Sequence, residues 1–326
     1  MNPFTQEKAQ SIADWGEVRL IREIAEALGA ANPEPPAGIG DDAAVLRPAP
    51  DGASPVVTTD ALVWARHFDV SVSPGLAGAK LVKRNLSDLA AIGATPDWMT
   101  LNLLLAGNVS KKWILGFVSG IRKACLRYRS RLVGGDLAQT GEDTFSSVIT
   151  AGGSTPFPLL RSGARRGDSL WVTGSLGDSL ARGKHLDFEP RLEEGRWLAG
   201  KRLPSACIDV TDGLSKDLPT LLPTGTAASL LPDGLPVSPS LKNLPSHQCL
   251  EHAFLDGEDY ELLFALPKAK SVEEFRDQWK REFPETPISH FGWIVEKETD
   301  ALFIDQTDGR PFPIQPGGGY QHLNSG

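Results

Sequence analysis

The order of apolar segments predicts an α/β fold built in two halves. Three observations carry that expectation. Short runs that read as buried strands alternate with helical repeats along the chain. The alternation breaks at a proline-bearing stretch, "TPFPLL", and then starts again. A length of 326 residues also exceeds what one small core organises. The break divides the chain into residues 1–155 and 156–326, two α/β domains of similar size.

In the first half, Ile12, Trp15, Val18, Ile21, Ile24 and Leu28 recur near helical spacing, and Gly29 closes that helix. A proline-rich stretch, "ANPEPPAG", leads into "IGDDAAVLRP". "SPVVTTDALV" reads as a buried strand running to a polar end. "PGLAGAKLVKRNLSDLAAIGATP" reads as a long helix, with Leu76, Ala79, Val82, Leu86, Leu89 and Ala90 on one face and Gly93 and Pro96 as stops. "DWMTLNLLLA" predicts a strand, "SKKWILGFVSGIRKACLRYRS" an amphipathic helix, "RLVGGD" a strand meeting a glycine turn, and "TFSSVITAGGS" another strand. In the second half, "DSLWVTG" predicts a strand and "SLGDSLARGKHL" the opening of a helix. "CIDVTDGLSKDLPTLL" gives strand, turn and helix; "DGEDYELLFAL" turn and strand; "VEEFRDQWKREF" a helix; and "ISHFGWIVE" a strand.

A net charge of −8 and a pI near 5.3 argue against a nucleic-acid binder, which needs a basic face for phosphates. Nucleotides stay open, because metal ions can neutralise their phosphates. Cys125, Cys207 and Cys249 are far apart and form no CxxC, so neither a zinc cluster nor a disulfide framework is expected and a reducing cytoplasm fits. The N-terminal stretch has no apolar signal core, and no run reaches the length of a membrane span.

What stands out is a set of acids beside small residues at element ends: Asp41 and Asp42 in "GIGDDAAV", Asp60 in "VVTTDALV", Asp88 in "NLSDLAA", Asp136 in "VGGDLA", and Asp209 and Asp212 in "IDVTDG". Each has a plain reading. Asp41 and Asp42 can be a turn or an N-cap, and Asp60 can cap a loop. Asp88 sits among Leu86, Leu89, Ala90 and Ala91, with Asn85 one turn earlier, so it faces a packed interior. Buried carboxylates need a partner: an arginine, a helix N-terminus or a metal ion. Taken together, the acids suit magnesium, which takes hard oxygen ligands and bridges phosphates, with Thr58, Thr59 and Thr211 adding neutral oxygens.

Phosphate cradles of other kinds are absent from the sequence pattern. Gly177…Gly183-Lys184-His185 is one residue too long for a P-loop and lacks its hydroxyl. Gly38-x-Gly40-x-x-Ala43 follows a proline-rich loop where a dinucleotide fingerprint follows a strand. "WVTGSLGDSLARG" offers a glycine turn before a helix N-terminus, which tight packing explains equally well. No Ser-His-Asp or Cys-His order appears, and His67 alone of the six histidines lies near the acids in sequence.

"GIGDDAAVL", "TTDALV…HF", "NLSDLAAIGATP", "GGD", "RSGARRGD", "VTGSLGDS", "DVTDGL" and "GEDYELLF" occur in that order. In register over nearly the whole chain, they resemble the thiamine-monophosphate kinase family of the aminoimidazole ribonucleotide synthetase-like superfamily. The resemblance implies a PurM-like architecture: an N-terminal α/β domain whose sheet pairs with another across a homodimer, and a C-terminal α/β domain completing a cleft for ATP and several magnesium ions. It implies transfer of the γ-phosphoryl of ATP to thiamine monophosphate. By motif it makes Asp88, Asp60 and Asp212 catalytic. It makes Asp42, Thr58, Thr59, Asp60, Asp88, Asp136, Asp209 and Asp212 metal ligands. Thr58, Gly135, Asp136, Arg161 and Thr211 become ATP contacts, and His67, Glu258 and Tyr320 acceptor contacts.

The chain departs from that pattern at Trp64-Ala65-Arg66, at Asp256 where the family has glycine, at Leu137 after "GGD", and at Lys83 and Arg84 before Asp88. The departures at Trp64–Arg66 and Asp256 bear on the acceptor more than on ATP. They leave room for another ATP-using enzyme of the superfamily or for a binding-only paralogue.

Overall fold

The computed structural model describes Arg19, Arg22, residues 41–45 and residues 52–318. The expected helix at Gln6–Leu28 therefore lies outside the described residues except for Arg19 and Arg22, both helical, and Tyr320 lies outside them altogether.

Two sheets form the frame. The first has five strands: β1 (Ala44–Val45), β2 (Ser54–Val63), β3 (Thr95–Ala106), β4 (Arg131–Thr140) and β5 (Phe145–Thr155). Their order is β1-β2-β5-β3-β4, antiparallel except for the β3–β4 pair. The second has six: β6 (Ser169–Thr173), β7 (Ala206–Asp209), β8 (Thr226–Leu230), β9 (Leu262–Leu266), β10 (Ile288–Glu296) and β11 (Phe303–Asp305), in the order β11-β8-β10-β6-β9-β7. Strands 6–9 are buried throughout, including their polar residues Ser169, Thr173, Asp209, Thr226 and Ser229.

Helix α1 (Pro74–Ala91) is the hinge of the arrangement. Ser73 caps it by accepting from the Leu76 amide, and Pro74 occupies its first position. Ala91 is its last residue, and Gly93 turns the chain away at φ +74°. It packs on the first sheet, on α2 (Lys111–Arg127), and on elements of the second half. The helices α1 and α2 approach backbone to backbone. A Cβ on Gly78 would lie 2.1 Å from the Phe117 carbonyl oxygen, and one on Gly120 2.0 Å from that of Gly75. One apolar core runs from Leu62, Leu86, Leu89 and Phe117 through α1 to Trp171, Phe264 and Trp279. A second fills the far side of the six-stranded sheet around Val172, Leu218, Phe254, Phe303 and Phe312. Each fully buried Leu or Phe contributes about 1.5–3 kcal/mol, so α1 stabilises both halves at once.

Four sequence expectations change. "RLVGGD" meets no glycine turn: β4 continues through Gly134 and Gly135 to Thr140, paired along β3. Helix α1 is not one-faced: Leu76 is 41% exposed, whereas Lys80, Lys83 and Asn85 are buried, because α1 is covered on several sides. Pro96 does not stop it but lies within β3, beside a bulge between Pro96 and Trp98. "SLGDSLARGKHL" folds mostly as turns, with α3 only at Lys184–Asp187; Asp178 and Gly183 both adopt positive φ, which breaks a helix. The helices α4 (Leu192–Lys201) and α6 (Ser246–Leu255) and strand β8 carried too little periodicity to be read, whereas α5 (Leu214–Leu221) and α7 (Val272–Glu282) fall where expected.

Candidate active site

Asp88 stands in the last turn of α1, where the helix passes the middle of β2. Thr58 Oγ1 donates to its Oδ2 at 2.6 Å. One residue earlier, Ser87 Oγ donates to Asp209 Oδ2 at 2.5 Å, which ties the end of β7 to the same turn. Asp42, just before β1, completes the group. Arg161 grips it with Nε on Oδ2 (3.1 Å) and Nη2 on Oδ1 (3.0 Å), while the Arg161 backbone amide donates to Asp41 Oδ1 at 2.6 Å. One carboxylate oxygen from each of Asp42, Asp88 and Asp209 lies within 4.8 Å of the other two. Thus the end of the first sheet, the shared helix and the end of a second-sheet strand converge.

This convergence is costly without a counter-charge. Burial, then repulsion from Asp209, Asp60 and Asp42, lifts the Asp88 carboxyl well above its ordinary value; the Thr58 bond opposes the shift. Burial and Asp42 do the same to Asp209, against the Ser87 bond. Burial also pushes Asp217 up to about 8, although the Asp212 and Thr211 amides both donate to it. Arg161 meets Asp42, but Asp88 and Asp209 have neutral hydroxyl partners in Thr58 and Ser87, and three hard oxygen donors this close fit a small divalent cation such as magnesium.

The remaining expected residues divide into neighbours and outliers. Asp60 adjoins the triad on β2 but is paired with Arg84, and Arg84 is one turn before Asp88. Asp212 pairs with Lys216 at 2.7 Å, and Thr211 sits in the same turn, its amide held by Asp217. Glu258, at φ +54°, pairs at 2.7 Å with the fully buried Lys80, whose ammonium also donates to the His67 carbonyl at 3.1 Å. His67 Nδ1 accepts from the Val63 amide at 2.9 Å. It lines a cavity of about 570 Å³ with Arg66, Asp69, Arg182 and His185.

Thr59, Gly135 and Asp136 are not brought to the triad. The Thr59 hydroxyl donates to the Ile149 carbonyl at 3.0 Å. Asp136 is exposed on the edge strand β4 opposite Asn102. The row through Asp60 crosses Ile149 and Leu101 to reach Gly135, so two strands separate Asp60 from that motif. Asp256, one of the departures, accepts from the Asp178 amide (2.7 Å) and pairs with His252 (2.8 Å); it tethers two backbone segments.

Sequence reasoning missed Ser87, Lys80 and the cationic role of Arg84. A signal for the last two was present: residues 80, 84 and 88 recur every fourth position and so share one helix face. It also missed that "EDYE" is a structural knot. Glu261 accepts from Lys184 (2.9 Å) and Arg191 (2.7 Å), and Asp259 accepts from the Gly177 amide and from Ser179.

Residues 40–155 match the family described as AIR synthase related protein, N-terminal domain. A thiamine-monophosphate kinase of Haemophilus influenzae is 32% identical over 333 aligned positions, covering 94% of this chain and 98% of its own. One from Rhodopirellula baltica is 36% identical over 277, covering 81% and 84%. Among solved structures, AaThiL complexed with AMPPCP and TMP superposes with a TM-score of 0.78 at 28% identity, covering 98% of this chain and 99% of that one. Similarity that runs end to end in both sequence and fold places this chain in the thiamine-monophosphate kinase family.

Proposed function

We propose that this chain transfers the γ-phosphoryl group of ATP to thiamine monophosphate, giving thiamine diphosphate and ADP. The observation that carries the reading is the convergence of Asp42, Asp88 and Asp209 to within 4.8 Å where the two sheets meet. The solved relative named with both AMPPCP and TMP supports the choice of co-substrate and acceptor.

The chemistry asks little of the protein in proton transfer. The acceptor is a phosphate monoester with a second pKa near ~6, so most of it is a dianion at neutral pH and needs no general base. That agrees with a site without a paired histidine. The obstacle is repulsion between two anions, about 4 kcal/mol per pair of unit charges ~4 Å apart at an effective dielectric near 20. Asp42, Asp88 and Asp209 would hold magnesium, which would supply positive charge against this repulsion and favour in-line displacement. Thr58 and Ser87 fix the rotamers of Asp88 and Asp209. Arg161 orients Asp42 and brings a second cation to the nucleotide side. His67 and Glu258, with Tyr320, are assigned to the acceptor, and Asp212, Thr211, Gly135 and Asp136 to the nucleotide and its ions, while Asp60 borders the site paired with Arg84.

The same reading divides the chain at 155/156 into an N-terminal nucleotide-binding and dimerisation domain and a C-terminal domain. It also makes the protein a cytoplasmic homodimer. Among the described residues no helix is long and apolar enough to cross a membrane.

The test is direct. Protein, ATP, magnesium and thiamine monophosphate are incubated and thiamine diphosphate is quantified by fluorescence after oxidation. Magnesium-dependent product is expected, and full chelation should abolish it. ATP binding without product would make the chain a nucleotide-binding paralogue; product from another acceptor would make it a different kinase.

A further inference from the structure

We propose that Arg84 is a built-in cation at Asp60, occupying the place where a divalent ion would otherwise bind; this rests on the phosphoryl-transfer reading above. The guanidinium meets both carboxylate oxygens: Nη2 donates to Oδ1 at 3.0 Å and Nε lies 3.0 Å from Oδ2. Nη1 donates to the backbone carbonyl of the next residue, Ala61, at 2.7 Å. Two consecutive residues of β2 therefore hold one planar head group, through one hydrogen bond and one ion-pair contact to the Asp60 carboxylate and one hydrogen bond to the Ala61 carbonyl.

Two further observations point the same way. Among the described residues, the three carboxylates that converge closely enough to share an ion are Asp42, Asp88 and Asp209, a group that does not include Asp60. The pair is also placed inside the site rather than beside it. Asp60 is two residues along β2 from Thr58, which bonds Asp88, and Arg84 is one helical turn before Asp88. The Arg84 side chain is 13% exposed and lies in the field of Asp88 and Glu258 as well as Asp60.

A guanidinium differs from a bound ion in three ways. It carries one charge instead of two, it cannot be lost to solvent or to a chelator, and it stays protonated at any working pH. A divalent ion brought to the same carboxylate would stand against a fixed like charge. Arg84 is thus a positioning residue that sets how many ions the site takes up. The nucleotide complex of this chain then binds one divalent ion fewer than a version in which residue 84 is apolar.

The test counts ions rather than turnover. Mn²⁺ bound per chain is measured by electron paramagnetic resonance, with a non-hydrolysable ATP analogue at saturation. The parent, Arg84→Met, Asp60→Asn and the double variant are compared after circular dichroism confirms folding. Arg84→Met is expected to add one Mn²⁺ per chain, Asp60→Asn alone to leave the count unchanged, and the double variant to lose the gain. A lower count in Asp60→Asn alone, or an unchanged count in folded Arg84→Met, overturns the proposal. Should Arg84→Met fail to fold, the Asp60→Asn count decides by itself. Because no acceptor is present, a failed count leaves the thiamine diphosphate assay untouched, and the converse also holds.

Discussion

Asp88 concentrates the physics of the site in one side chain. Its carboxylate is held by Thr58, pressed toward Asp209 and Asp42, and destabilised there by burial and by their charge. Asn is nearly isosteric, can still accept from Thr58 and removes the repelled charge. Asp88→Asn should therefore melt no lower than the parent and should lose at least ~100-fold in kcat, the scale of losing an ion-holding group. Thermal melting and steady-state kinetics on one preparation check both halves; near-normal kcat would make Asp88 a structural residue. The neighbouring acids show how differently similar motifs are used. Asp209 and Asp42 join Asp88, Asp212 is matched by Lys216, and Asp60 is matched by Arg84.

At the scale of elements, the decisive contact is between α1 and α2. Their approach depends on residues without a Cβ at Gly78 and Gly120. In Gly120→Ala the new methyl would fall 2.0 Å from the Gly75 carbonyl oxygen, so one helix must shift. A loss of about 1–3 kcal/mol is expected from overpacking, outweighing the helix-propensity gain of alanine. Gly200 in α4 is the control. Nothing lies within 4 Å of a Cβ there, so Gly200→Ala should stabilise by about 0.5–1 kcal/mol. Denaturant melts of the two variants should move in opposite directions, and a shift of equal sign would mean the helix contact is looser than described. Because α1 carries Ser87 and Asp88, the Gly120 variant should also lose activity.

At the scale of the molecule, the five-stranded sheet ends, among the described residues, in an open edge. Strand β4 runs ten residues, pairs among the described residues with β3 alone and is exposed along nearly its whole length. Leu132, Val133 and Leu137 on it are 43%, 59% and 67% exposed. A long apolar edge of this kind pairs with another chain unless charge blocks it. The proposed homodimer would cover it, and would place the "GGD" residues of this edge at the contact between chains. Light scattering should give the parent twice the mass of one chain, and Leu137→Lys should halve it. A monomeric parent, or an unmoved variant, would place the dimer contact elsewhere or remove it.

Much of this protein is local and therefore legible in sequence. The run "SPVVTTDALV", read as a buried strand running to a polar end, is the strand β2 residue for residue, because a short run rich in Val and Thr favours the extended chain. The clustering of hard acids at element ends was visible, and so was the family resemblance they carry. Pairing was not legible. The acids of the motifs outnumber the bases, which favoured metal ions over Lys and Arg as the balancing charge. The fold instead delivers Arg84, Arg161, Lys80 and Lys216 to individual carboxylates. Position 161 is 119 residues from Asp42, and Lys80 is 178 from Glu258. Sequence by itself determined which side chains have the chemistry to hold phosphate-bound cations. Tertiary structure alone decided which acids converge and which meet an internal base, because a charge's environment is set by neighbours that folding brings from distant parts of the chain.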